Sequence, residues 1–166
     1  NTKEVTLGDD GIYTAWNTLI LSSTNSMFFG AKAFNQPIGN WNTTNVTDMT
    51  SMFEEAVAFD QGINTKAVSL PNSQKYYIAW DTENVSFMTY IFKYAKAFDK
   101  PIGKWNTTNV TNMIGMFEGA ETFNQDINTK EVTLGDDGIY TAWNTTRVYD
   151  MQNMFAGAKL FNGNIG

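Results

Sequence analysis

The sequence predicts an α/β solenoid of five coils, each about 25 residues long. Three observations carry this. The five tryptophans, Trp16, Trp41, Trp80, Trp105 and Trp143, recur at spacings of 25 residues or of 25 plus an insertion. Apolar residues recur at fixed offsets from each tryptophan. The segment 1–15, NTKEVTLGDDGIYTA, returns unchanged as 128–142, with a diverged copy, NTKAVSLPNSQKYYIA, at 64–79.

The insertions are read first, because they open each large unit. Glu131-Val-Thr-Leu alternates, Gly135-Asp-Asp-Gly138 supplies turn residues, and Ile139-Tyr-Thr-Ala-Trp143 alternates again. That pattern predicts a β-hairpin. Hairpin insertions are therefore expected at about 1–15, 64–79 and 128–142. In the middle copy Pro71-Asn-Ser replaces the glycine-flanked turn, so its tip must differ.

The 25-residue unit follows. In the second copy Val46, Met49, Met52, Phe53 and Ala56 step by three and four. This spacing predicts a short helix over about 47–56, with equivalents at 86–95, 111–120 and 149–158. Beyond the alanine, Phe59 and Ile63 lie in a segment expected to be extended, with a short strand near the isoleucine pairing with its equivalent one coil away. All eight methionines fall at two offsets, eight and eleven after the tryptophan. Such regularity belongs to stacked core layers and not to a functional cluster. Columns of Asn and Thr follow the tryptophans, and residues of these types can bond backbone groups that corners leave unpaired.

Composition bounds the function. The chain has 166 residues, is 42% hydrophobic and carries a net charge of −6 without a basic cluster. That argues against nucleic acid and anionic membrane surfaces as partners. No apolar run approaches the length of a membrane span. The absence of Cys and His removes thiol chemistry and the commonest general base and metal ligand. No enzyme activity and no cofactor is expected.

The strings WNTTNVTDMTSMFEEAVAFDQGI, from Trp41, and WNTTNVTNMIGMFEGAETFNQDI, from Trp105, resemble the 25–26-residue repeat of BspA-like bacterial surface proteins and mycoplasma lipoproteins. That family is described as a divergent leucine-rich repeat. The resemblance implies a right-handed α/β solenoid of the leucine-rich-repeat type. It also implies an extracellular, non-enzymatic cell-surface protein engaged in adhesion to protein or glycan on host or neighbouring cells. The first and last units depart from the string, with Ile20 and Thr24 in one and Arg147 and Tyr149 in the other.

Residues 1–166 read as one domain, a fragment of a longer array, with neither end capped by a polar segment. An alternative role follows: a structural subunit of an extracellular fibre built by end-to-end stacking of copies.

Few residues offer chemistry. Asp9-Asp10 and Asp136-Asp137 at the hairpin tips are weak calcium candidates, since calcium takes several oxygen ligands; the middle hairpin lacks the pair, and no metal is expected. Asn42, Asn45, Asn84, Asn106, Asn109 and Asn144 sit in N-x-[ST] sequons, which the repeat string contains by default. A flat ice-binding array on the threonine column is interrupted by Leu19, Glu83 and Arg147. The remaining candidate interaction surface comprises the hairpin tyrosines Tyr13, Tyr76, Tyr77 and Tyr140 and the column Thr43, Thr82, Thr107 and Thr145.

Overall fold

The stretch after each anchor tryptophan is a run of tight turns. In the second repeat the amides of Met52, Glu54 and Ala56 donate to the carbonyls of Met49, Ser51 and Phe53, three residues back. The amides between them, of Ser51, Phe53 and Glu55, donate instead to Thr89, Ile91 and Lys93 of the third repeat. The fourth repeat does the same, with Gly115, Phe117 and Gly119 donating to Gln152, Met154 and Ala156. An α-helix would place every amide on the carbonyl four residues back. Here alternate amides serve the neighbouring repeat.

Backbone angles explain the choice. The tenth residue after the tryptophan (Ser26, Ser51, Tyr90, Gly115, Asn153) and the fourteenth (Gly30, Glu55, Tyr94, Gly119, Gly157) are left-handed, with φ between 54° and 73°. A left-handed third residue is the mark of a type II turn. It also stops a right-handed helix wherever it occurs.

The computed structural model describes residues 2–6, 12–16, 18–70, 74–134 and 138–166, and for 2–6 and 12–16 the backbone alone. Among the described residues strands occur only in the insertions: β1 (Thr2–Thr6) with β2 (Ile12–Trp16), β3 (Lys66–Ser69) with β4 (Tyr76–Ala79), and β5 (Lys130–Thr133) with β6 (Ile139–Ala142). Each pair is an antiparallel two-stranded sheet, with Val68 opposite Tyr77 and Val132 opposite Tyr140.

This corrects the expected fold. The described residues contain no helix, so the α/β solenoid of the leucine-rich-repeat type is not what the chain forms. The segments expected as helices, 47–56, 86–95, 111–120 and 149–158, are turns. The strands expected near Ile38, Ile63, Ile102, Ile127 and Ile165 are absent as well. A side-chain ladder stands in their place. The Asp60 amide donates to Asn35 Oδ1 at 3.0 Å, Asp99 to Asp60 Oδ1 at 2.9 Å, Asn124 to Asp99 Oδ1 at 2.9 Å and Asn162 to Asn124 Oδ1 at 2.7 Å. Carboxylates and carboxamides thus take the amides that a strand ladder would have used.

The repeats are held in register by their side chains. Phe53 stacks on Phe28 at 5.5 Å and on Phe92 at 5.7 Å, and Phe59 stacks on Phe98 at 5.8 Å. The Trp80 ring lies between Trp41 at 6.5 Å and Trp105 at 6.3 Å. Met49, Met52, Met88, Met113 and Met116 fill the same core and are wholly buried. Each buried aromatic contributes about 2–3 kcal/mol of hydrophobic stabilisation. Indole N–H groups donate to isoleucine carbonyls, Trp80 to Ile38 and Trp105 to Ile63, both at 3.0 Å. Among the described residues no buried side-chain nitrogen or oxygen lacks a hydrogen-bond partner.

Candidate functional site

The hairpins stand at every second junction between repeats. Between Ile38 and Trp41, and between Ile102 and Trp105, the chain turns directly through Gly39-Asn40 and Gly103-Lys104. Gly39 is required there, because a Cβ on it would lie 2.5 Å from the Gly62 carbonyl oxygen. Between Ile63 and Trp80 and between Ile127 and Trp143 the same junction carries β3–β4 and β5–β6.

Each hairpin is pinned to the stack. At its base Thr65 Oγ1 donates to the Trp80 carbonyl at 2.8 Å, and Thr129 Oγ1 donates to the Trp143 carbonyl at 3.2 Å. Further out, the Tyr77 hydroxyl donates to the Asn40 carbonyl at 2.5 Å and the Tyr140 hydroxyl to the Lys104 carbonyl. Each tyrosine therefore ties its hairpin to a neighbouring plain turn. Burial, chiefly, pushes the Tyr140 hydroxyl up to about 12; the Asp81 carboxylate adds to the rise and a hydrogen bond with Thr65 opposes it.

An open groove of about 740 Å³ lies across the β3–β4 and β5–β6 hairpins. Tyr76, Tyr77 and Ile78 of β4 form one wall, and Leu134, Gly138 and Tyr140 the other. Thr44, Thr65, Gln74, Lys75, Asp81, Glu83 and Asn106 add polar groups to the lining, two of them acidic and one, Lys75, basic. Asp81 Oδ1 accepts the Glu83 amide at 3.0 Å, so the two residues share one tight turn.

The groove brings together three of the candidate residues, Tyr76, Tyr77 and Tyr140. Tyr13 lies in β2, and its side chain is outside the described residues. Thr43, Thr82 and Thr107 are not on the surface. All three are buried, and their hydroxyls donate to the Asp81, Asn106 and Asn144 carbonyls of the next repeat at 2.7, 3.0 and 2.9 Å. Thr145, in the last repeat, is exposed.

Asp9, Asp10, Asp136 and Asp137 lie outside the described residues, as does the Pro71-Asn-Ser tip. Among the described residues no group of three or more acidic side chains is placed to hold a metal ion. The sequon asparagines are engaged in the stack. The Asn45, Asn84 and Asn109 amides donate to the carbonyls of Leu19, Thr44 and Glu83, while Asn42, Asn106 and Asn144 accept amides two residues on.

Sequence reasoning met Glu83 only as an interruption of the threonine column and did not read it or Asp81 as a candidate site residue. The signal was present: in four of the five repeats these columns hold Asn, and either Thr or Leu. It also missed the ridge formed by Tyr90, Lys93, Tyr94 and Glu118. The Lys93 ammonium lies 4.5 Å from the Tyr90 ring centre and 3.1 Å from the Glu118 carboxylate. Glycines in the following repeat make room for the rings: a Cβ on Gly115 would lie 2.6 Å from Tyr90, and one on Gly119 would lie 2.3 Å from Tyr94.

The chain is thus an all-β repeat protein, its units stacked through turn amides and aromatic columns and its hairpins raised at alternate junctions. It belongs to the family described as "Mycoplasma protein of unknown function, DUF285", whose model matches residues 9–79 and 67–166. No curated protein and no solved structure matches it.

Proposed function

We propose that this chain is a non-enzymatic, extracellular surface protein that binds protein or glycan, in the manner of the BspA-like repeats its sequence resembles. One observation supports the reading above the others: the groove between the hairpins, where the tethered rings of Tyr77 and Tyr140 share a lining with the carboxylates of Asp81 and Glu83. Fixed aromatic rings beside adaptable polar groups are the usual composition of a recognition surface. The interior offers no comparable opportunity, because its Trp, Phe and Met columns are committed to packing.

Two measurements test the proposal. Protease treatment of intact cells of the source organism should release fragments of the native protein. The purified chain should bind members of an immobilised panel of extracellular proteins and glycans, and Tyr76→Ala should weaken that binding. Complete protection on intact cells together with an empty panel would refute the surface-binding reading.

A further inference from the structure

Asp81 and Glu83 depart from the repeat together and at one place. The residue after the tryptophan is otherwise Asn17, Asn42, Asn106 or Asn144, and the residue three after it is Leu19, Thr44, Thr108 or Thr146. The fold has no use for charge at either position. Asp81 accepts the amide of Glu83 at 3.0 Å, and Asn42, Asn106 and Asn144 accept the equivalent amide through a neutral oxygen at 3.0, 3.2 and 3.0 Å. Among the described residues neither carboxylate is in an ion pair; the pairs join Lys93, Lys96, Lys100 and Lys159 to Glu118, Glu121 and Asp60. The Asp81 charge also favours the protonated Tyr140 hydroxyl, but a tyrosine is protonated at neutral pH without it, so the hairpin anchor does not depend on the charge. The two charges are therefore surplus to folding; they line the groove with the tyrosines, outnumbering the one basic residue of its described lining, Lys75, with which neither forms an ion pair.

We propose that the groove binds a basic segment of a partner protein, an arginine side chain lying against the tyrosine rings with its guanidinium on Asp81 and Glu83. This rests on the surface-binding reading and names the chemistry of the ligand. Charge complementarity chooses the occupant. A neutral glycan is served equally well by the Asn and Thr that the repeat string supplies at these positions, and acidic glycans are repelled, all the more by a chain of net charge −6. Calcium needs six or more oxygens, in roughly closed coordination, and Asp81 has already committed one of its own. A guanidinium is planar and weakly hydrated, accepts stacking on an aromatic face and forks onto carboxylates.

The test uses the whole chain and three probes: an acetylated, amidated hexapeptide containing two arginines, the same peptide with citrulline in place of arginine, and chitotetraose. Amide chemical shifts report where each binds, and calorimetry reports affinity at low and high salt. The arginine peptide should shift Asp81, Glu83 and β4, and bind more weakly as salt rises. Asp81→Asn and Glu83→Thr restore the residues of the other repeats, so folding is preserved. Each should weaken the arginine peptide about tenfold. The citrulline peptide should not bind.

Undiminished binding to the double variant, or no shift at these amides, overturns the proposal. If chitotetraose shifts the groove and the arginine peptide does not, the ligand class is wrong while the surface-binding reading stands. An empty panel and protection on intact cells would instead remove that broader reading.

Discussion

Gly119→Ala probes the left-handed turns and the seating of one repeat on the next at once. Gly119 has φ of 67°, and a Cβ there would lie 2.3 Å from Cδ1 of Tyr94 in the preceding repeat. Alanine in the left-handed region costs about 1–2 kcal/mol. Displacing the Tyr94 ring also loosens its hydroxyl bond to Glu118, at 3.3 Å, and its contact with the Lys93 ammonium, at 5.4 Å. Those exposed interactions add about 0.5–1 kcal/mol. The expected loss is about 2–3 kcal/mol, or a fall of about 5–10 °C in Tm for a chain of this size. Urea unfolding followed by fluorescence of the stacked tryptophans measures it. A double-mutant cycle with Tyr94→Ala separates the two parts: without the ring, Gly119→Ala should cost only the backbone strain, leaving a coupling of about 1 kcal/mol. A neutral Gly119→Ala would refute the left-handed assignment. A full-sized loss with no coupling would refute the seating of Tyr94 on Gly119.

Two further predictions follow from the same geometry. Glu55 is left-handed, with φ of 59°, and is in no ion pair among the described residues, so Glu55→Gly should raise stability by about 0.5–1 kcal/mol. Its neighbour Glu54 accepts the Ser51 hydroxyl at 2.6 Å, and Glu54→Gly should lower stability by about 1 kcal/mol in the same urea titration. Tyr140, pushed up to about 12 mainly by burial, keeps its proton in the folded chain while the unfolded chain has lost it. Its contribution is complete below about pH 10 and is lost as pH rises through about 12. Urea midpoints should therefore fall between about pH 9 and about pH 11, and less steeply in Tyr140→Phe; identical slopes would refute the buried hydroxyl.

The core was legible in the sequence because it depends only on period. Trp, Met, Phe, Ala and Ile recur at fixed offsets, and side chains at those offsets stack on their own copies. Local structure was not, and the reason is physical. A spacing of three and four says which residues share a buried face, but not where the amides go. Met49, Met52, Phe53 and Ala56 meet one core through tight turns as well as they would through a helix. The arbiter was in the string: Gly115 and Gly119, four apart inside a supposed helix, mark two left-handed residues. Ser, Glu and Tyr occupy those places in other repeats and hide the signal.

The candidate site divides in the same way. Tyr76, Tyr77 and Tyr140 were visible as residues outside the regular period, and they do line one groove. The threonines were visible as a column, but a column has an inside and an outside. Only the hydrogen bonds from Thr43, Thr82 and Thr107 to the next repeat place them inside. Asp81 and Glu83 were undervalued for the opposite reason: a search for what recurs treats a residue that does not, such as Glu83, as an interruption. In a chain whose fold is paid for by repetition, a residue that breaks its column without harming the turn is under no structural obligation. Asp81 keeps the Asn turn bond and adds a charge. That surplus charge, in one groove with Tyr77 and Tyr140 whose hydroxyls are already tied down, is the ground on which the proposed arginine site stands.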